Sequence, residues 1–158
     1  MKLFIFSLFI SFSALANIDN FSLSSDRSLY IVDGDSISLQ MRIAGIDTPE
    51  IKQNCRQYSG RIIDCGQLSK RYLKRLLKSL PGKLSIQPIG VDHYQRILAR
   101  VYKGDINVGK LMVESGMAFS YKNTYKQAEK DAKAEKLGFW GFDTPPIEPY
   151  KWRKLNRH

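Results

Sequence analysis

At 158 residues the chain is long enough for one domain with a modest core. Its formal net charge of +10, from 25 basic against 15 acidic residues, narrows the common partners to nucleic acid, an anionic membrane or acidic polymers. Beyond the first residues no segment is apolar over the length of a helical membrane span, and composition alone goes no further.

Lys2, the apolar run over residues 3–15 and the small residues of Ala14-Leu15-Ala16 read as a secretory signal peptide over residues 1–16, with the mature chain starting at Asn17. Only Lys2 is lost among charged groups, so +10 becomes +9. Residues 28–32 and 37–46 are β-branched and partly alternating, and read as strands joined by the turn Asp33-Gly34-Asp35. A helix follows over residues 66–80. Leu68, Tyr72, Leu76, Leu77 and Leu80 fall on one face and a row of Lys and Arg on the other, and Pro81-Gly82 is the stop. Residues 83–91 and 97–102 form a second strand pair. Shorter helices are predicted over 108–115 and 125–137, the second with Ala128, Ala132 and Leu137 on one side and Gly138 as its stop. The closing stretch, residues 143–158, is basic and aromatic, and its Tyr and Trp argue for packing on the body. Several short strands with about three helices predict an α+β, mainly β plan, a five-stranded OB-like barrel with appended helices.

Cys55 and Cys65, with nine residues between them, both lie in the exported part. An even count in an oxidising compartment reads as a disulfide, and chain-entropy arguments give such a loop about 2–3 kcal/mol.

The chemistry concentrates in a cluster of acids. Asp33, Asp35, Asp47 and Glu50 fall within eighteen residues of a basic chain, with Arg42 between the two acidic motifs and Arg96 farther on. Oxygen donors suit Ca²⁺ or Mg²⁺, and basic surroundings suit a phosphate backbone. Carboxylates, a hard cation and two arginines are the parts for phosphoryl-transfer chemistry. Either motif alone is an ordinary turn; the pair in one short unit is specific.

Val32-Asp33-Gly34-Asp35-Ser36, Arg42, Asp47-Thr48-Pro49-Glu50, the segment from Asp92 to Arg96, Gly116-Met117-Ala118-Phe119-Ser120-Tyr121 and the run ending in Phe139-Trp140 together resemble the staphylococcal nuclease family. The Cys pair and Trp152-Arg153 resemble its exported bacterial members. The resemblance implies a nuclease domain over residues 17–142, followed by the tail, and Ca²⁺-dependent hydrolysis of DNA and RNA that leaves 3′-phosphates. It implies that Asp35 and Asp47 bind Ca²⁺ through carboxylates and Thr48 through its backbone carbonyl, with Asp33 as a supporting acid. Glu50 would position or deprotonate the attacking water, and Arg42 and Arg96 would hold the phosphate. His93 and Tyr94 would sit near a neighbouring phosphate, and Tyr121 would meet the nucleotide. Departures are also visible. Arg42 follows Asp35 by only seven positions, Ser36 stands for Thr, His93 and Gln95 stand for Lys and Gly, and Phe119 stands for Tyr.

These residues lead to an exported, monomeric nuclease of broad specificity with no stable membrane association after signal cleavage. A non-catalytic OB-type nucleic-acid-binding module is the alternative. It leaves unexplained why acids should crowd a polyanion site with no cation between them.

Overall fold

The computed structural model describes residues 23–156, so the signal-peptide expectation for residues 1–16 lies outside the described residues. Strands β1 (Leu29–Ile31) and β2 (Ile37–Leu39) pair antiparallel around the Asp33-Gly34-Asp35 turn. Strand β3 (Met41–Ile43) leaves that hairpin. It runs parallel to β8 (Ile97–Lys103), which pairs antiparallel with β7 (Leu84–Val91) and with the short β9 (Ile106–Asn107). The expected strands over residues 37–46 therefore divide, because Gln40 turns the chain between partners and Gly45, at φ +79°, turns it again into β4 (Ile46–Asp47). Only a left-handed turn fits there, and a Cβ on Gly45 would lie 2.8 Å from the Thr124 methyl. Strand β4 pairs antiparallel with β10 (Phe119–Ser120), and β5 (Asn54–Arg56) pairs with β6 (Ile62–Asp64).

The architecture is the α+β, mainly β plan of an OB-like fold, with the described strands distributed over four sheets. Helix α1 (Cys65–Ser79) buries Ser69 and Leu76 and turns Lys70, Arg71, Lys74, Arg75 and Lys78 to solvent. Helix α2 (Val108–Glu114) is capped by the Asn107 side chain, which accepts from the Lys110 N–H at 2.9 Å. Helix α3 (Lys126–Ala134) stops short of the expected residue 137. Lys136 enters the left-handed region at φ +54° and the Leu137 N–H reaches back to the Ala132 carbonyl at 2.9 Å, a Schellman closure that precedes Gly138. Ala132 is buried as expected, whereas Leu137 is well exposed.

A fourth helix, α4 (Pro149–Leu155), lies in the tail. Pro149 occupies the first turn, where a missing N–H costs nothing. The core gathers Ile46, Leu76, Met112, Val113 and Ala118 between α1, α2 and β4, with Tyr72 and Leu111 against it. Phe119, Phe139 and Trp140 form an adjoining aromatic cluster with centroids 4.8–5.3 Å apart. Phe119, at a position where a nucleotide-facing aromatic was conceivable, is core.

Candidate active site

The loop from Asp47 to Glu50 follows β4, and the pairing of β4 with β10 fixes it: Asp47 sits opposite Phe119, and the Tyr121 N–H donates to the Gly45 carbonyl at 2.9 Å. The parallel ladder between β3 and β8 sets Met41 against Ile97, which brings Arg42 and Arg96 to the same end of the sheet. As a result Arg42, Asp47, Thr48, Glu50 and Arg96 line one cavity of about 330 Å³, joined by Lys70 from α1. Five expected site residues, distant by up to 54 positions in the chain, are thus gathered.

Within it Asp47 is buried, and its carboxylate is held from two sides. Arg42 Nη2 donates to Oδ1 at 2.8 Å and Arg153 Nη2 donates to Oδ2 at 2.7 Å. Arg153 Nη1 donates to Glu50 Oε1 at 2.6 Å and reaches Asp47 Oδ1 at 3.4 Å. Its hydrogen bonds to Asp47 first, and then to Glu50, hold the Arg153 proton more tightly than usual against the opposing effect of burial. The guanidinium is a fixed positive charge between two carboxylates.

The backbone under Glu50 is equally constrained. Gln53 is fully buried. Its side-chain oxygen accepts from the Glu50 N–H at 3.1 Å, its amide donates to the Ile147 carbonyl at 2.7 Å, and its own carbonyl accepts from the Cys65 N–H at 2.9 Å. Gly66 lets α1 approach this loop, because a Cβ there would lie 1.9 Å from the Glu50 carbonyl oxygen. Cys55 and Cys65 are joined as expected, with Cα atoms 5.8 Å apart, tying β5 to the start of α1.

Arg96 is anchored by its own loop. Its Nε donates to Asp92 Oδ2 at 2.8 Å, its Nη2 is ion-paired with the same oxygen at 2.6 Å, and Asp92 Oδ1 accepts the Tyr94 and Arg96 N–H groups at 2.8 and 3.0 Å. Burial pushes the Asp92 carboxyl up, but the Arg96 side chain and these backbone bonds outweigh it, so Asp92 titrates below its ordinary value. Gln95 makes the turn at φ +64°, the conformation that favours Gly. Its side-chain oxygen is held by the Ser24 N–H at 2.9 Å and by the Ser24 hydroxyl, and its carbonyl by the Ser28 hydroxyl.

Other expected residues lie outside the cavity. Asp33 and Asp35 are exposed in the β1–β2 turn, where the Asp35 N–H donates to Asp33 at 3.2 Å and hydrogen bonding by Ser36 and then Asp35 lowers the Asp33 carboxyl. The structure does not bring Asp35 to Asp47, and among the described residues no three His, Cys, Asp or Glu side chains converge as a metal cluster. His93 and Tyr94 are exposed, stacked edge to face at 5.4 Å, and Arg96 lies 5.3 Å from the Tyr94 ring. Tyr121 is half-exposed with Arg42 5.5 Å from its ring centroid. It lines a second cavity of about 630 Å³ that shares Asp47 and carries Lys122, Lys126, Lys130 and Lys133.

Sequence reasoning missed Arg153, Gln53 and Gly66. Pro149 in the first turn is a helix-start signal that could have marked residues 149–155 as helical, but nothing local points Arg153 at Asp47. Gln53 and Gly66 carry no local signal at all.

The sequence pattern of the staphylococcal nuclease homologue family matches residues 40–141. The chain is 34% identical to an uncharacterized endonuclease of Haemophilus influenzae over 99% of this chain and 87% of that protein. It is 29% identical to a micrococcal nuclease of Shigella flexneri over 81% of this chain and 79% of that protein. To a thermonuclease of Staphylococcus intermedius it is 27% identical over 73% and 71% respectively.

Proposed function

As a member of the staphylococcal nuclease family the protein is a nuclease, a hydrolase of the endonuclease class, and we propose that it cleaves DNA and RNA phosphodiesters with Ca²⁺ at the cavity lined by Asp47, Thr48, Glu50, Arg42 and Arg96. The convergence of these five residues is the observation that carries the reading.

The donor chemistry fits a hard cation. The cavity lining offers carboxylate and carbonyl oxygens and no His or Cys, and a guanidinium already bridges its two acids, so the position accepts positive charge. Asp47 and Thr48, through its carbonyl, are the cavity residues we assign to hold it; Asp35, with Asp33 beside it, stands outside the cavity in the β1–β2 turn and would join them only if that turn closed on the bound cation. Bound there, the cation would supply charge compensation at the phosphate and orientation for the attacking water.

The side chains do the rest. Arg42 and Arg96 present planar forks that grip phosphate oxygens and stabilise charge as it builds there. Glu50 orients the water and accepts its proton. The water oxygen bonds to phosphorus, the bond to the 5′-oxygen breaks, and that oxygen leaves with a proton, so the phosphate stays on the 3′ side. Tyr121 stacks on the nucleotide, and His93 and Tyr94 meet the next phosphate. Because arginines and cation read phosphate rather than base edges, specificity is broad. The lysines of the second cavity extend the basic surface that a polyanion follows outward from Asp47.

Export of a monomeric protein completes the reading. The cysteine pair is joined, and among the described residues no helix is long and apolar enough to cross a membrane. The test is digestion of DNA and RNA by the chain from Asn17 onward with Ca²⁺, with Mg²⁺ and with a chelator, beside Asp35→Ala and Glu50→Gln. Cleavage that needs Ca²⁺ and collapses in both variants supports the assignment. Glu50→Gln losing binding as much as turnover would remove Glu50 from the chemistry.

A further inference from the structure

We propose that Arg153, delivered by α4, is a positioning residue of the catalytic centre that holds Glu50 and Asp47 in their mutual arrangement. The inference rests on the assignment of those two acids above and adds a third arginine, from the tail, to the two in the body.

The geometry is a fork across two carboxylates. One guanidinium edge spans Glu50 Oε1 at 2.6 Å and Asp47 Oδ2 at 2.7 Å. Asp47 has a second clamp in Arg42, whereas Glu50 has no other side-chain donor among the described residues. Its Oε2 accepts from no side-chain donor among the described residues. Glu50 is a long side chain more than a third exposed, with several rotors to hold. Arg153 is what selects one arrangement, and a nucleophile held in near-attack geometry is where such selection tells in rate.

Stability is a poor explanation for the contact. The arm to Glu50, between side chains each more than a third exposed, contributes little to folding, and the buried Asp47 keeps Arg42 as a partner without it. Nor is Arg153 one member of an undirected basic run. Lys151 pairs with Glu148 at 3.1 Å and Lys154 lies over the Tyr150 ring at 4.7 Å, so Arg153 is the side chain of this helix turned to the acids. The helix is also placed to deliver it. The Arg56–Thr144 bridge and the Gln53 amide on the Ile147 carbonyl fix the approach of the tail, and Pro149 is buried.

The test is a kinetic cycle with Arg153→Gln, Arg153→Lys, Glu50→Gln and the double variant Arg153→Gln/Glu50→Gln, on the chain from Asn17 with Ca²⁺. Arg153→Gln should lower kcat about 10–100-fold with KM changed by less than about 3-fold. Arg153→Lys should recover part of that loss, because it keeps the charge but cannot span both acids. In the Glu50→Gln background, Arg153→Gln should add less than about a 3-fold loss, since the residue acts through Glu50. Unchanged kcat, a loss confined to KM, or fully additive losses would each overturn the proposal. Should Arg153→Gln fail to fold, Arg153→Lys carries the same comparison. A fully active Glu50→Gln would instead overturn the catalytic assignment itself, whatever Arg153→Gln does.

Discussion

Replacing Gly66 by Ala reverses an ordinary expectation. In an open helical position Gly→Ala gains about 1 kcal/mol, because Ala restricts the unfolded chain and favours the helix. At Gly66 the added methyl would lie 1.9 Å from the Glu50 carbonyl oxygen, 2.4 Å from its carbon and 2.7 Å from the Ile51 Cα. Reaching ordinary contact requires α1 and the loop to part by about 1.5 Å. Neither side is free to give. The Glu50 carbonyl accepts the Gln53 N–H at 2.8 Å, and Gly66 follows a disulfide-bonded residue. Overpacking against fixed backbone costs about 1–3 kcal/mol, so against that gain the net change is a destabilisation of up to about 2 kcal/mol, or up to roughly 4–8 °C in Tm. A displacement near 1 Å at Glu50 also lowers turnover, by about 100-fold if fully expressed. Urea and thermal unfolding with parallel digestion kinetics measure both. Gly34→Ala is the control, since nothing lies within 4 Å of its Cβ position. A Gly66→Ala protein as stable and as active as wild type would refute the claim that α1 sets the height of Glu50.

Four further outcomes are expected. Reducing the Cys55–Cys65 bond, or replacing both by Ser, should lower stability by about 2–3 kcal/mol in urea titrations at pH 7. Gln53→Leu orphans the Glu50 N–H and the Ile147 carbonyl, which costs about 1–3 kcal/mol for each buried group and should expose the tail to limited proteolysis. Asp92 titrates below its ordinary 3.8 when folded, so its pairing with Arg96 stabilises fully above that pH and the contribution disappears as pH falls through the lower native value. Asp92→Asn should therefore lose stability near neutrality and show a shallower acid limb in pH-dependent unfolding. Lys126→Glu with Lys130→Glu, on the wall of the second cavity, should raise KM for DNA several-fold at low salt. It should also flatten the salt dependence, with kcat nearly unchanged.

Much of the site was legible because its signals are local. The Asp33-Gly34-Asp35 turn, Arg42 and the segment from Asp47 to Glu50 are read from adjacent residues, and the β3–β8 ladder then brings Arg96 to them. Helix α1 was readable from its leucine spacing and its Pro81-Gly82 stop, and the disulfide from cysteine count and compartment. Other features depend on partners that no window contains. Arg153 is one basic residue in a run of similar ones, and only the path of the tail distinguishes it. Phe119 was open to a nucleotide-facing reading until Phe139 and Trp140 closed over it. The strands over residues 37–46 divide because β3 finds its partner in β8, more than fifty residues later. Asp35 stays in its turn, since the β1–β2 hairpin has its own ladder and none joining it to β3.

The contacts that fasten the tail are nested: Arg56 with Thr144, Gln53 with Ile147, Glu50 with Arg153 and Asp47 with Arg153. Each pair encloses the one before it. Closing the innermost loop carries nearly the whole entropic penalty of bringing the two chain segments together, and each later pair adds only a few residues of closure on either side. The outermost contacts, the two acids with Arg153, are then the ones that open at least cost, so fraying of the tail from its end disturbs the charges of the cavity before it breaks the Arg56–Thr144 bridge.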